Sequence, residues 1–263
     1  MTKVKDIVSV IEHIAPLRLQ EDYDNAGYQT GDPDSEVTDV LTCLDITEAT
    51  VDEAVSIGAQ LIVSHHPLLF RPIRRITPGD YISRTIIKAI RAGITLYSAH
   101  TNLDNAYNGV NYKMAEVLGL GNARPLAPIP SDKTAGIENA EMCGSGIIGT
   151  LPTPMSADAF IAKVRDVFKA ETIRTNRQSL IAEPTISKVA LCGGSGAEFI
   201  GDAERKGADV FLTGEIGYHR FFGHEEILLI EAGHYETEQY TCNLLKDIIG
   251  NAFPDLKVTI SEK

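Results

Sequence analysis

Two stretches of this chain lie on each other without a gap. VLTCLDITEATVDEAVSIGAQLIVSHH (40–66) matches VALCGGSGAEFIGDAERKGADVFLTGE (189–215) at an offset of 149. Val40 meets Val189, Cys43 meets Cys192, Ala54 meets Ala203, and Gly58-Ala59 meets Gly207-Ala208. Each stretch reads as strand, turn, helix, glycine stop, strand. That is a βαβ unit, and its strands are expected to run parallel. The likeness extends to AGITLYSAHTNLD (92–104) and EEILLIEAGHYET (225–237), each an apolar run, an alanine, then a histidine. A helical pattern follows each (111–120 and 237–250) and another precedes each unit, at the N-terminus and at 156–170. The Pro/Gly-rich stretch from Gly119 to Gly136 is the best internal boundary. The expectation is an α/β fold of two similar halves, an internal duplication, with mixed, largely parallel sheets. The first half covers 1–127 and the second 128–263, with the C-terminal helix free to pack back on the first.

A chain of 263 residues can bury the core such a plan requires. Its net charge of −12 argues against nucleic acid as a partner, because phosphate contact needs a basic face. A phosphate substrate stays open if a metal supplies the positive charge. No apolar run is long enough to span a bilayer, and MTKVKDIVSVIEHIAP lacks the pattern of a signal peptide. It reads as an amphipathic helix with Val4, Ile7, Val8, Ile11 and Ile14 on one face. Cys43, Cys143, Cys192 and Cys242 are scattered and form no C-x-x-C, so free thiols and a cytoplasmic location are expected.

In open α/β sheets, sites form at the carboxyl ends of the strands. One such end gives Ser64, His65 and His66 in LIVSHHPLLF (61–70). Neighbouring side chains of a regular strand point to opposite faces, so one histidine is structural or the pair serves two tasks. A second end gives His100 and, four residues on, Asp104. A third gives His234 and Glu238, four apart where a helix begins and therefore on one face of it. Four of the seven histidines thus end predicted buried strands beside acidic residues, which points to a metal site. Imidazole with carboxylate suits zinc, iron, manganese, nickel or cobalt.

Other features carry less. Glu215 reads either as an acceptor that orients a ligand imidazole or as a carboxylate at a helix N-terminus. CGGSG (192–196) reads either as an anion-binding turn or as a plain tight turn, and it has no P-loop lysine. Tyr23-Asp24-Asn25 looks like a turn before a strand. His13 and His224 are expected to be solvated, and Cys43 and Cys192 buried and inert. Without G-x-S-x-G or a cysteine beside a base, covalent catalysis has no support.

SHHP, SAHTNLD and GHYETE, with YDNAGYQTGD (23–32), LDITEATVDEA (44–54) and GADVFLTGE (207–215), resemble one family over nearly the whole chain. It is the Nif-three-like dinuclear metal-centre family, often labelled GTP cyclohydrolase 1 type 2. The resemblance implies two divalent ions in a cleft between two α/β halves, and a ring-shaped homohexamer, a trimer of dimers. It also implies ligands: His66 and Asp104 for one ion, His65 and His234 for the other, with Glu238 bridging both. His100 falls on a family histidine near the site, a candidate for proton transfer or for holding water. The chain departs from the family in carrying Tyr23 where tryptophan is usual, and it lacks the inserted domain of longer members.

Such a centre would support metal-assisted hydrolysis of a nucleotide or phosphoester. The cyclohydrolase label adds an analogy only. The alternatives are a metal-handling or regulatory protein without turnover, and a ring-shaped scaffold. Arg71, Arg74, Arg75 and Arg220 are the basic residues near the motifs that could meet a phosphate.

Overall fold

The structure, a computed structural model, describes residues 1–263. In chain order the elements are α1 (Val4–Ile14), β1 (Gly27–Thr30), β2 (Asp39–Cys43), α2 (Glu48–Ile57), β3 (Leu61–Ser64), α3 (Tyr81–Ala92) and β4 (Thr95–Ser98). Then come α4 (Thr101–Asp104), α5 (Val110–Val117), β5 (Gly121–Pro128), α6 (Ser131–Thr134), β6 (Gly144–Ser156), α7 (Ala157–Phe168) and β7 (Arg174–Thr175). The last are β8 (Thr185–Cys192), α8 (Ile200–Arg205), β9 (Val210–Thr213), β10 (Leu228–Glu231), α9 (His234–Glu238), α10 (Thr241–Ala252) and β11 (Lys257–Ile260). They form two compact units, Met1–Leu103 with Thr241–Lys263, and Asp104–Tyr240.

The first unit holds a five-stranded sheet of order β1-β4-β3-β2-β11, antiparallel only at β1-β4. Alternation along its strands fills both faces. Leu41, Ile62 and Leu96 pack with Val51 and Ala54 of α2 and Ile86 and Ala89 of α3. The residues between them, such as Val40, Leu61 and Tyr97, are fully buried toward the other side. There α10 packs on β2 and beside α1. The N-terminal stripe is buried at Val4, Ile7, Val8 and Ile11, while Ile14 is half-buried. α2 starts on Thr47, whose hydroxyl accepts from Thr50 N, and stops on Gly58 in the left-handed conformation at φ 74°.

The second unit holds a six-stranded sheet of order β5-β6-β8-β9-β10-β7. Its central pairs β8-β9 and β9-β10 are parallel and its outer pairs antiparallel. On one face Val189, Leu191, Leu212 and Ile230 meet Phe160, Val164 and Phe168 of α7. On the other, Ala190, Phe211 and Leu229 meet Ile200 and Ala203 of α8. Full burial of each phenylalanine of α7 contributes about 2–3 kcal/mol.

Both parallel triples keep one register. Val40 faces Leu61 and Val189 faces Val210, the positions related by the offset of 149. Thr95 then faces Leu61, and Leu228 faces Val210.

Three expectations need revision. Both sheets are mixed, as expected, but only the first is largely parallel, because β5, β6 and β7 join the second antiparallel. The Pro/Gly-rich stretch is not a linker at 127/128. It carries β5, an edge strand of the second sheet, and an edge is where a sheet tolerates proline. The units therefore divide at Leu103/Asp104, and α10 with β11 belongs to the first. The helical pattern over 237–250 is split, since α9 ends at Glu238 and α10 begins at Thr241.

Candidate functional site

In the first unit, β3 stops at Ser64, and the chain bends before Pro67. His65 N and His66 N still donate to Cys43 O (3.1 Å) and Leu44 O (2.9 Å), while Ser64 Oγ donates to His66 O (2.8 Å). Past the strand end, strict alternation no longer governs the side chains. The two rings sit together, centroids 4.9 Å apart, and each faces His100, at 5.2 and 5.5 Å. The three imidazoles offer ligand nitrogens that all lie within 4.8 Å of one another. Three such lone pairs drawn together could hold a cation.

Each imidazole is oriented through its Nδ1. His65 Nδ1 donates to Ala99 O (2.8 Å), His66 Nδ1 to Asp45 Oδ1 (2.9 Å) and His100 Nδ1 to Asp24 Oδ1 (2.7 Å). These oxygens accept only, so the neutral rings carry their lone pair on Nε2, the pattern of metal-ligating histidines. His65 is fully buried but packs against histidines rather than into the apolar core. Asp24, its side chain without solvent exposure, also accepts from Thr101 N (3.0 Å) and Thr101 Oγ1. Burial raises the Asp24 carboxyl, but the bonds from His100, Thr101 and Asn25 together outweigh it and hold the group below its ordinary range.

In the second unit, Gly233 (φ 98°) turns the chain from β10 into α9, whose first residue is His234 and last Glu238. His234 Nδ1 donates to Glu215 Oε1 (3.0 Å), just past β9, and His234 Nε2 lies 3.1 Å from Glu238 Oε2. A nitrogen lone pair and a carboxylate repel at that distance unless a proton or a cation lies between them. A Glu238 oxygen also lies within 4.8 Å of one from Asp104, the last residue of α4. Glu238 is therefore the carboxylate common to His234 and Asp104, and it is 4% exposed.

The CGGSG turn is the reason Glu238 fits. A Cβ on Gly194 (φ 59°) would fall on Glu238 Oε1 and 3.0 Å from His234 Nε2. Gly193 N, Gly194 N and Gly196 N donate to Asn111 Oδ1, Thr237 Oγ1 and Thr213 Oγ1. Those amides are spent inside the protein, so the turn is a close-packed support and not an anion cradle.

The structure thus brings together His65, His66 and His100 in one unit, and Asp104, His234 and Glu238 in the other. Glu215 is an orienting acceptor. Asp24 and Asp45 do the same for His100 and His66, and reasoning from residue type passed over both. Their signals were faint: a D-N-A-G turn, and an aspartate two residues past a predicted strand. His13 is exposed, whereas His224 Nδ1 is held by Glu204 (2.6 Å). All four cysteines are free and buried, and burial pushes the Cys43 thiol well above its ordinary range. No helix is long and apolar enough to cross a membrane.

The chain is similar to other proteins over most of its length. A protein named GTP cyclohydrolase 1 type 2 homolog from Clostridium perfringens is 36% identical over 90% of this chain and 87% of its own. One of the same name from Streptomyces coelicolor is 32% identical over 100% of this chain and 92% of its own. Among solved structures, a Bacillus cereus protein related to NIF3 matches the fold at a TM-score of 0.87 and 24% identity, covering 100% and 97% of the two chains. Reduced HcgD from Methanocaldococcus jannaschii matches at 0.79 and 28%, covering 100% and 98%. A sequence profile of the Duf34/NIF3 (NGG1p interacting factor 3) family matches residues 2–263, and the chain belongs to that family.

Proposed function

We propose that this protein binds two divalent ions and is a metal-dependent hydrolase of a nucleotide or phosphoester. One observation carries the reading: all four strand-end imidazoles give Nδ1 to an oxygen acceptor, which leaves Nε2 as the atom with the lone pair. The ligands we assign are His66 and Asp104 for one ion, His65 and His234 for the other, and Glu238 for both. The donor set fits zinc, iron, manganese, nickel or cobalt, being imidazole and carboxylate without thiolate. When bound, the ions supply Lewis acidity toward a phosphoryl or carbonyl oxygen and toward water.

The chain's own residues do the rest. Glu238, held against the glycine turn, sets where His234 and Asp104 point. His100, clamped by Asp24, takes a proton at Nε2 from the attacking water, and the Asp24 carboxylate stabilises the imidazolium that results. Phe70 packs its ring edge-on against that of His100, with centroids 6.0 Å apart. The proposed assembly is a homohexamer, a trimer of dimers, resting on the family resemblance.

The test is a screen of nucleotides and phosphoesters against protein whose metal content has been measured. Turnover that disappears on chelation and returns with metal is expected. No turnover at full occupancy would leave the non-enzymatic metal-handling reading. Light scattering checks the assembly, and a stable monomer contradicts it.

A further inference from the structure

The first unit contains a cavity of about 250 Å³, with His66 on its wall. Ile46 and Leu68, both nearly fully buried, form an apolar floor. Phe70 and Tyr81, by contrast, stand at its rim 40% and 58% exposed. Exposed aromatic rings beside a polar cluster are unusual unless something covers them. Arg71 also lines the cavity. Arg84 and Lys88 of the same unit are held by Glu48 and Asp52, whereas no carboxylate pairs with Arg71. In a chain with an excess of acids, that leaves one guanidinium uncommitted where a ligand would sit. The one acid on the cavity, Asp45, is engaged by His66 Nδ1.

The segment that carries these groups is anchored. Asn25 Nδ2 donates to Leu69 O (2.7 Å), and Leu69 N donates to Gln29 Oε1 (3.0 Å). The chain is therefore fixed up to the residue before Phe70-Arg71. Tyr81 is the first residue of the twelve-residue helix α3, whose N-terminus is capped by the Asp80 carboxylate through Ser83 N (2.9 Å), so Arg71 is the cationic group of the cavity.

We infer that this cavity binds a phosphate monoester of a flat aromatic group, with Arg71 on the phosphate and Phe70 and Tyr81 against the ring. Guanidinium and phosphate make paired, charge-assisted hydrogen bonds, and aromatic faces stack on flat rings. The volume lies below the usual range for drug-sized ligands, which limits the ligand to one ring with its phosphate. The inference rests on the hydrolase reading for its direction: a phosphate in this cavity shares it with His66.

Phenylphosphonate is the probe, because it has the flat ring and the dianion but no ester to cleave. Calorimetric titrations of the full chain, chelated and divalent-loaded, are compared with titrations of inorganic phosphate. Arg71→Gln is expected to weaken phenylphosphonate about tenfold in both preparations. Tyr81→Ala is expected to weaken phenylphosphonate about three- to tenfold and to leave inorganic phosphate unchanged. Both positions are exposed, and unaltered melting temperatures identify folded variants. Failure of the wild type to bind, wild-type affinity in Arg71→Gln, or equal loss of both ligands in Tyr81→Ala overturns the inference. Arg71-dependent binding without turnover of any phosphoester keeps this site and removes the hydrolase reading. Turnover with a KM that ignores Arg71 removes the site and keeps that reading.

Discussion

The two parallel triples share a register and differ where they stop. In the first unit Ala99 N donates to Ser64 O, and in the second Ala232 N donates to Thr213 O, so the backbones close in the same way. Beyond those bonds the first unit presents three imidazoles and the second presents glycines and carboxylates. Histidines at a strand end need acceptors behind them, and Ala99 O, Asp45 and Asp24 fill that role. A buried carboxylate needs room, which Gly194 leaves, and a proton or a cation between it and the His234 Nε2 that lies 3.1 Å away. The same ladder therefore supports two kinds of donor set, one neutral and one anionic, each with a different packing demand.

The largest expected effect tests that difference in packing. Gly58 and Gly194 both have positive φ, at 74° and 59°. A Cβ at Gly58 meets nothing within 4 Å, whereas one at Gly194 falls on the Glu238 carboxylate. Gly58→Ala should cost about 1 kcal/mol, the price of a left-handed alanine. Gly194→Ala should cost about 3 kcal/mol or more, because it adds displacement of a buried charge. Denaturant unfolding of both variants decides it. Equal losses would mean that Gly194 serves only its backbone angle.

Next in size is the metal count. Glu238→Gln keeps the shape and removes the charge that His234 and Asp104 share. Bound metal should fall from two ions per chain toward one or none, by elemental analysis after dialysis. Unchanged stoichiometry would remove Glu238 as the bridge and leave the second unit's set without its organising residue.

Much of this was legible in the sequence, and what escaped did so for physical reasons. His65, His66, His100 and His234 could be placed because an apolar run announces a strand and the next residues sit at its end. Glu238 followed from helical spacing. Asp24 could not be placed, since its partners His100 and Thr101 lie 76 and 77 residues away and a turn aspartate has a local excuse. β5 was misread because Pro and Gly usually punctuate loops, and only its edge position makes them harmless. The alternation rule does not govern His65-His66. Alternation holds within a strand, and β3 had already ended.

A smaller effect is expected at Asp24, where the comparison becomes one of pH. Asp24→Asn removes a buried, charge-assisted bond to His100 and should cost about 1.5–3 kcal/mol at pH 7. The folded carboxyl titrates below its ordinary value of 3.8. Its contribution is therefore complete above that value and is lost as the pH falls through the depressed folded value. Melting temperatures of wild type and variant should converge as the pH drops from 7 toward 3. A gap that stays constant over that range would assign the loss to packing rather than to charge.

The smallest expected effect separates orienting acceptors from stabilising ones. Glu215 and Asp45 are 59% and 62% exposed in their side chains, so solvent screens their pairs with His234 and His66. Glu215→Gln and Asp45→Asn should each change stability by less than about 1 kcal/mol. Their role is to hold a ring so that Nε2 faces the donor set, and such partners typically set metal affinity by about 10- to 100-fold. Competition with a chelator of known affinity should show that loss while the melting temperature of the chelated protein stays put. The two variants should lose affinity at different ions, since the proposed set gives His66 to one and His234 to the other. If both weaken the same ion, the division of the ligands between the two ions is wrong, even with every histidine a ligand.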